Sequence, residues 1–429
     1  MNPSPPPDAP LRWLYVDFNS YFASIEQQLQ PRLRGRPVAV VPVETHSTCA
    51  IAASYEAKAF GVKTGTPIWE ARKLCPDLVC VLARHELYVE FHHRAIAEIE
   101  RHIPVDAVCS IDEMAARLLR NEAAPDVAQG IGQAIKAGIK ANLGEWMRCS
   151  IGIAPNRYLA KVAGEMQKPD GLTILMSHQI FPQLARKGQI TDLPGIGRNM
   201  QRRLRLKGIH TIVDIIALDR KQMRLAWGSI WGERMWYLLR GYDLAEPETE
   251  RRSIGHSHVL APALRPPSQA IDVARRLTLK AASRLRRMSY SANVFHFSAR
   301  LEDGRRLRME LRCRPSQDSM AFLVLLQTAW QRLIPGESSV LIKKLSVTLH
   351  GLTAESRCQF DLFDEPSDNL RGLPSRTVRA LRLSLAMDRL NQRFGRDSVL
   401  IGMLPSAGRS FSGTKIAFTR IPDSEEFHE

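Results

Sequence analysis

The chain has 429 residues, of which 44% are hydrophobic and 24% are charged, a composition typical of a globular protein of roughly two to four domains. Lysine and arginine total 60 against 44 aspartates and glutamates, which gives a net charge of +16 and a pI near 9.8. This balance favours a polyanionic partner, with nucleic acid first and an anionic membrane surface second. No apolar run reaches about 18 residues, so no transmembrane helix is predicted.

The first segment, residues 1–11, is rich in proline and has neither a basic start nor an apolar centre. We predict a short disordered leader and not a signal peptide. The 7 cysteines of the chain are scattered and form no Cys-x-x-Cys pair, which indicates free thiols in a reducing compartment and no zinc site. The expected location is therefore the cytoplasm.

Strands and helices alternate through residues 12–175. An apolar strand at Trp13–Val16 ends in Asp17, and a helix is predicted over 20–29 because apolar residues recur there at spacings of three and four. Further strands are predicted at 35–42, 105–109 and 148–153, and further helices at 55–61, 68–74, 86–103, 125–143 and 156–167. This alternation predicts a sheet with helices packed on it.

Acidic residues follow two of these strands. Asp17 ends the first strand, and the pair Asp112 and Glu113 follows the apolar segment 105–109. Carboxylates at the ends of buried strands are costly to desolvate unless a cation lies between them. Three such groups can hold two Mg²⁺ ions for in-line phosphoryl or nucleotidyl transfer. The alternative is an ordinary Asp-Glu pair on a solvated surface, which is common in proteins.

Residues 191–245 are predicted to be helical and basic. The segment 193–198 places Gly195 and Gly197 directly before a helix, where backbone N–H groups can bind one phosphate without reading a nucleic-acid sequence. Cationic side chains surround this turn at Arg198, Arg202, Arg203, Arg205 and Lys207. The alternative is a helical hairpin with a solvated basic face.

The next part of the chain predicts a linker at 246–258 and an α+β module at 259–352. Its expected elements are a helix at 268–288, strands at 292–301 and 305–314 joined by a hairpin turn, a helix at 316–333 and a strand at 341–349. The second strand is basic, and a period of two puts four arginines on one face: Arg306, Arg308, Arg312 and Arg314. They could follow a phosphate backbone, or they could form a solvated polar face.

The tail, residues 353–429, is less regular, with one helix predicted at 375–393. The peptide Gln359–Phe363 is apolar and aromatic between polar neighbours, so Leu362 and Phe363 could enter a pocket on a partner protein. An ordinary edge strand is the alternative.

Several motifs in this order resemble those of the Y-family translesion DNA polymerases, in the bacterial branch related to UmuC and DinB. They cover residues 12 to about 350 and are Val16–Glu26, Ala53–Gly65, Ser110–Glu113, Ser150–Lys161 with Gln167–Gly171, Leu193–Gly197 and the thumb-like segment 227–243. The resemblance implies an α+β multidomain protein with the right-hand polymerase fold. Its implied parts are a ferredoxin-like palm with small fingers at 12–175 (fingers about 27–80), a helix-hairpin-helix thumb at 176–245, the linker at 246–258, a little finger at 259–352 and a tail at 353–429.

The resemblance also implies the chemistry. The chain would be an error-prone, template-directed DNA polymerase that adds dNTPs to a primer 3′-hydroxyl and copies past damaged bases. Asp17, Asp112 and Glu113 would be the catalytic ligands of two Mg²⁺ ions, assisted by the Phe18 carbonyl. The implied nucleotide contacts are Tyr55, Lys58 and Lys168 to the triphosphate, and Phe22 as the bulky side chain that excludes a ribose 2′-hydroxyl.

The expected partners are primer-template DNA, dNTPs and a sliding clamp, with no membrane. The clamp would bind Gln359, Leu362 and Phe363, and the DNA would contact the 195–198 turn and the four arginines of the basic strand. The resemblance leaves room for other repair or SOS-response proteins as partners.

The chain departs from the family pattern at three places. Asn19 stands where many relatives have aspartate, which selects the UmuC branch; Lys58 replaces an arginine and loses its planar fork; and Met114–Ala116 replaces a more usual aromatic-Leu-Asp run. These departures keep open a first alternative, a polymerase-like accessory subunit without catalysis that binds damaged DNA and the clamp. A second alternative is a helix-hairpin-helix DNA repair factor whose acids are structural.

Overall fold

The computed structural model describes residues 9–44, 48–247, 250–334, 340–354, 375–395, 398, 399, 401 and 421. The chain divides into two compact units, one containing the described residues up to Glu246 together with residue 421, and one beginning at Pro247. None of the helices in these ranges is long and apolar enough to cross a membrane.

The first unit contains eight strands and eleven α-helices among its described residues. The strands are β1 (Trp13–Phe18), β2 (Val38–Val41), β3 (Ala52–Ala53), β4 (Val79–Leu82), β5 (Val105–Val108), β6 (Glu113–Arg117), β7 (Cys149–Ala154) and β8 (Leu172–Ile174). The helices are α1 (Tyr21–Leu29), α2 (Tyr55–Ala59), α3 (Ile68–Leu74), α4 (His85–Ile99), α5 (Pro125–Asn142), α6 (Arg157–Gly164), α7 (Ile180–Ala185), α8 (Arg198–Arg205), α9 (Ile212–Ala217), α10 (Arg220–Trp227) and α11 (Ile230–Leu238). The predicted alternation of strands and helices is confirmed.

The main sheet has the strand order β5-β6-β1-β7-β8, with β1 antiparallel to both of its neighbours. All six residues of β1 are buried, since helices cover both faces of the sheet. Leu14 and Val16 pack with α4 and α5 on one face, while Trp13 and Tyr15 pack with α6 on the other. A second sheet, ordered β3-β2-β4, carries α2 and α3.

The predicted disordered leader is wrong for its last residues. Leu11 is only 2% exposed and belongs to the core of the first unit, and the Ala9 carbonyl accepts a hydrogen bond of 2.9 Å from Ser177. An apolar side chain next to a buried strand gains free energy by burial, so the ordered chain begins before β1. Residues 1–8 lie outside the described part of the chain.

The backbones of α6 and β7 lie almost in contact, which is possible because residue 152 of β7 is a glycine. A Cβ atom at Gly152 would lie 2.0 Å from the Ala160 carbonyl oxygen and 2.2 Å from the Gly164 nitrogen. We expect Gly152→Ala to lower the free energy of unfolding by about 3 kcal/mol, because backbone atoms must move apart. Urea denaturation followed by circular dichroism measures the change.

The matched control is Gly130→Ala, because Gly130 lies on an exposed face of α5 with no atom within 4 Å of its would-be Cβ. Alanine there should raise stability by about 0.5–1 kcal/mol, since it restricts the unfolded chain and favours the helix. Equal stability changes in the two variants would contradict the proposed close contact.

The second unit is an α+β module. Its elements are β9 (Ser253–Val259), α12 (Pro267–Arg287), β10 (Tyr290–Leu301), β11 (Arg306–Ser316), α13 (Ser319–Leu333), β12 (Ile342–Ala354) and α14 (Ser375–Phe394). The sheet order is β11-β10-β12-β9, and all pairs are antiparallel. Helices α12 and α13 cover one face of the sheet, and α14 is joined to α12 by the Arg286–Asp388 ion pair.

The predicted linker at 246–258 is wrong from Ser253 onward. Ser253–Val259 form the edge strand β9, whose backbone pairs with β12 from His350 to Lys344. Only Ile254 within this strand is buried, and Gly255 has a low intrinsic preference for strands. The strand is formed by pairing with a neighbour distant in sequence, which local patterning does not reveal.

Candidate active site

The three predicted acidic residues meet at one end of the main sheet. Asp17 near the end of β1 is the cross-strand partner of Glu113, the first residue of β6. The backbone N–H of Phe18 donates to the Asp112 carbonyl at 2.9 Å, which fixes the loop before β6 beside β1. Asp17 is 8% exposed, while Asp112 and Glu113 are half-buried. The register of two neighbouring strands therefore positions the whole acidic group.

Two lysines form ion pairs with this group. Lys168 lies with its Nζ 2.8 Å from Asp17 Oδ2 and 2.7 Å from Glu165 Oε1. Lys161, on α6, lies with its Nζ 2.5 Å from Glu113 Oε1. The sequence motifs assigned Lys168 to the site but not Lys161. The only sequence signal for Lys161 was its position in the segment that follows β7.

The electrostatics of the acids differ. Burial raises the pKa of Asp17 to about 7, although Lys168 acts in the opposite direction. Burial likewise raises the pKa of Asp112 against the hydrogen bond from Ser110 Oγ. For Glu113 burial also acts to raise the pKa, but the hydrogen bond and charge of Lys161 outweigh it, so the pKa is lowered. The carboxyls of Asp17 and Asp112 thus have too little positive charge nearby to offset the cost of burying them as anions.

These residues have the oxygen donors that hard divalent cations take. Among the residues that the structure describes, no three His, Cys, Asp or Glu side chains already enclose a position for a metal ion. Lys161 and Lys168 each hold an oxygen of a carboxylate in this group. The donor set fits a divalent cation, and binding it requires these oxygens to exchange an ammonium for the metal.

The predicted triphosphate contacts lie beside the acids. Tyr55 and Lys58 belong to α2, and the Lys58 Nζ lies 4.3 Å from the centre of the Tyr55 ring. Burial lowers the pKa of Lys58, as does the charge of Lys168, while Asp17 acts to raise it. Lys58 and Lys168 are therefore close enough to repel each other, which favours a polyanion between them.

Phe22, the predicted sugar-excluding side chain, is 7% exposed on α1. Its ring stacks on Tyr88 with the centroids 4.4 Å apart. The Tyr88 hydroxyl donates to Glu26 Oε1 at 2.7 Å, and Glu26 also pairs with Arg84 at 2.6 Å. The orientation of the Phe22 ring is thus fixed by a buried partner that is itself held in place.

The side chain of Asn19 explains one departure from the family pattern. Its Nδ2 donates to Ser150 Oγ at 3.0 Å, and its Oδ1 accepts from the Asp170 backbone N–H at 2.7 Å. An aspartate could not make the first of these bonds by donating a proton. Asn19 therefore ties the end of β1 to β7 and to the turn that carries Lys168.

The histidines His92 and His93 are adjacent on α4 but differ in burial, since His93 is exposed and His92 is not. His92 is 1% exposed, and its Nδ1 lies 2.7 Å from the carbonyl oxygen of Ile111. Its position on the inner face of α4 places it under the loop that carries Asp112. No second histidine lies three or four residues from His92, and that spacing is the one at which a helix brings two side chains together.

The predicted phosphate-binding turn precedes α8. Gly195 has φ +85°, a conformation that favours glycine, and Gly197 is the residue directly before the helix. Both glycines and Arg198 are exposed. A cleft of about 690 Å³ extends from this turn to Lys161, with Arg186 and Lys187 in its wall. Lys161, the ion-pair partner of Glu113, thus lines the same cleft as this turn.

The basic strand β11 lies at the edge of the second unit's sheet. Its predicted arginines are all on the exposed face, opposite the side covered by α12 and α13: Arg306, Arg308, Arg312 and Arg314. Glu310 shares that face and pairs with His350 at 3.3 Å. The predicted clamp contacts, Gln359, Leu362 and Phe363, lie outside the described residues.

Comparisons with known proteins find DNA-polymerase relatives for most of the chain. Residues 16–165 match the impB/mucB/samB family, residues 251–362 match the C-terminal domain of that family, and residues 191–243 match the thumb domain of DNA polymerase iota. The chain is 32% identical to DNA polymerase IV of Pelotomaculum thermopropionicum over 399 residues, which cover 90% of this chain and 94% of that protein. It is also 32% identical to DNA polymerase IV of Moorella thermoacetica over 395 residues, covering 89% and 93%.

One similar solved structure is the Y-family DNA polymerase chimera Dbh-Dpo4(243-245)-Dbh. The match has a TM-score of 0.66 and 23% sequence identity, and it covers 80% of this chain and 99% of that one. At this identity the likeness concerns the fold, and it confirms the predicted right-hand α+β architecture.

Proposed function

This chain belongs to the Y-family DNA polymerases, and we propose on that premise that Asp17, Asp112 and Glu113 are its catalytic residues. It is a template-directed DNA polymerase for translesion synthesis, and the relatives that it resembles over most of its length are named DNA polymerase IV. The observation that carries the proposal is the register of β1 and β6, which makes Asp17 and Glu113 cross-strand neighbours beside Asp112.

Two Mg²⁺ ions are the metals proposed for this site, and when bound they would activate the primer hydroxyl and neutralise the triphosphate. Asp17, Asp112 and Glu113 would hold them, with the Phe18 carbonyl. Tyr55, Lys58 and Lys168 would bind and orient the triphosphate, with Lys168 exchanging Asp17 for a phosphate oxygen.

Phe22 would form the wall of the pocket next to the sugar. Its ring cannot turn freely because it stacks on Tyr88. Binding and orientation of this kind lower the barrier by holding the reacting groups together.

Primer extension tests the function directly. The full chain, given a primed template, four dNTPs and Mg²⁺, should lengthen the primer by nucleotides complementary to the template and should stop at the template end. A template carrying an abasic site or a bulky adduct should be copied past the lesion. A folded chain that binds the primed template but adds no nucleotide, with or without a sliding clamp, would support the accessory-subunit alternative.

Further parts of the proposal concern the rest of the chain. Residues 12–175 would be the palm and fingers, 176–245 the thumb and 259–352, together with β9, the little finger. Gly195, Gly197 and Arg198 would bind a phosphate of the DNA backbone. The peptide Gln359–Phe363 would bind a sliding clamp, and the cytoplasm is the proposed location.

The exposed arginines of β11 are proposed to follow a DNA backbone. Replacing Arg306 and Arg308 by alanine together should weaken DNA binding equally for all sequences. It should also reduce the slope of log Kd against log salt concentration by about 2, since each phosphate contact contributes about 0.9. Fluorescence anisotropy with labelled primed DNA at several salt concentrations measures both effects.

Arg332→Ala is the control, because Arg332 is exposed on α13, which covers the opposite face of the same sheet. It removes one positive charge and should leave the salt slope unchanged. A double variant whose slope equals that of the wild type would show that β11 has only a solvated polar face.

A further inference from the structure

Tyr15 lies two residues before Asp17 on β1, so its side chain is on the same face of the strand. It is 4% exposed, and its hydroxyl donates to Glu113 Oε2 at 3.0 Å. The other oxygen of that carboxylate, Oε1, accepts the bond from Lys161. Both oxygens of Glu113 are therefore held, one by a neutral hydroxyl and one by an ammonium.

The Tyr15 hydroxyl is confined by its surroundings. The Lys161 Nζ lies 5.5 Å from the centre of the Tyr15 ring. The ring packs in the same core as α6. With the ring fixed by β1 and α6, the hydroxyl is held within hydrogen-bond distance of Glu113 Oε2.

The two partners of Glu113 differ in what a metal does to them. A divalent cation repels the ammonium of Lys161 and takes the same carboxylate oxygens, so these two cations compete. A phenol carries no charge, and it continues to donate to a carboxylate that binds a metal. A hydrogen bond from a neighbouring side chain to a metal ligand orients that ligand, and the loss of such a bond typically costs about 10–100-fold in metal affinity or activity.

We propose that Tyr15 is a positioning residue that orients the Glu113 carboxylate for divalent-metal binding. The proposal rests on the proposed function, since it assigns Tyr15 a task only if Glu113 is a ligand. It adds a residue outside the acidic motifs, at a position that sequence reasoning treated as an ordinary apolar strand residue.

The test uses Tyr15→Phe, which removes only the hydroxyl, and Mn²⁺ alone as the probe. Electron paramagnetic resonance of free Mn²⁺ gives the affinity of the full chain, and Asp112→Asn identifies the part of the binding that belongs to this site. Tyr15→Phe should weaken that part by about 10–100-fold. In primer extension it should raise the half-saturating metal concentration by a similar factor, with most of the rate restored at high metal concentration.

Tyr158→Phe is the matched control, because its hydroxyl donates to the Pro194 carbonyl at 3.1 Å within the same core. Both variants should lose similar stability, but only Tyr15→Phe should lose metal affinity. Unchanged Mn²⁺ affinity in Tyr15→Phe, with a wild-type chain that binds Mn²⁺ and extends primers, would overturn this inference alone. A wild-type chain that neither binds Mn²⁺ nor extends primers would overturn the proposed function.

Discussion

Asp112→Asn is expected to reduce the rate of primer extension by at least about 10³-fold, which corresponds to about 4 kcal/mol of transition-state free energy. Asparagine keeps the size of the side chain and an oxygen that can accept the bond from Ser110 Oγ, which is 2.5 Å long in the structure. It removes the negative charge that a divalent metal needs. Single-turnover extension at saturating dNTP and DNA measures the change.

Stability should move in the opposite direction from activity. Burial raises the pKa of Asp112, so the charged carboxylate is disfavoured where it lies, and a neutral amide removes that penalty. We therefore expect the metal-free Asp112→Asn protein to unfold at the same urea concentration as the wild type or at a higher one. A variant that lost both activity and stability would indicate that Asp112 mainly maintains the fold.

Asp106→Asn is the control for the chemical change itself. Asp106 is exposed on β5, the strand beside β6, and the substitution is identical. It should leave both extension rate and stability near those of the wild type. If Asp106→Asn lowered the rate as strongly as Asp112→Asn, the loss would reflect general charge and not metal binding.

The placement of the acidic residues beside strands was predictable, because each is close in sequence to the apolar pattern that indicates the strand. An apolar strand ending in Asp17, and an apolar segment followed by Asp112 and Glu113, are visible without a structure. Tyr15 was not predictable, because it reads as one more buried strand residue. The role proposed for Tyr15 depends on a hydrogen bond to a residue 98 positions away. Only the register of β1 and β6 brings that pair together.

The same distinction applies to the fold. Helices such as α4 and α12 were predicted from their own periodicity, and the structure has them within a few residues of the expected bounds. The strand β9 was not predicted, because its own sequence has little preference for a strand and its pairing with β12 stabilises it. Leu11 was assigned to a disordered leader for a similar reason, since its burial comes from distant residues of the first core. Sequence patterns indicate local preference, and long-range pairing decides the rest.

Phe22→Ala is expected to reduce the preference for dNTPs over NTPs by about 100-fold, or about 2.7 kcal/mol. The ring is held against Tyr88 with the centroids 4.4 Å apart, so it cannot move aside for a 2′-hydroxyl, and alanine removes the obstruction. Most of the change should come from a higher kcat/KM for NTPs, while kcat/KM for dNTPs falls only modestly. Single-nucleotide incorporation of matched dNTP and NTP pairs opposite the same template base measures the ratio.

Phe22→Tyr is the control that keeps the bulk of the ring, and it should retain the preference for dNTPs. The alternative for Phe22 is packing alone, because its ring is 7% exposed and stacks on another aromatic side chain. Under that alternative, Phe22→Ala would loosen the pocket without regard to the sugar. It would then lower kcat/KM for dNTPs and NTPs by the same factor and leave their ratio unchanged. The ratio therefore separates exclusion of the 2′-hydroxyl from packing, even if the variant is less stable or less active.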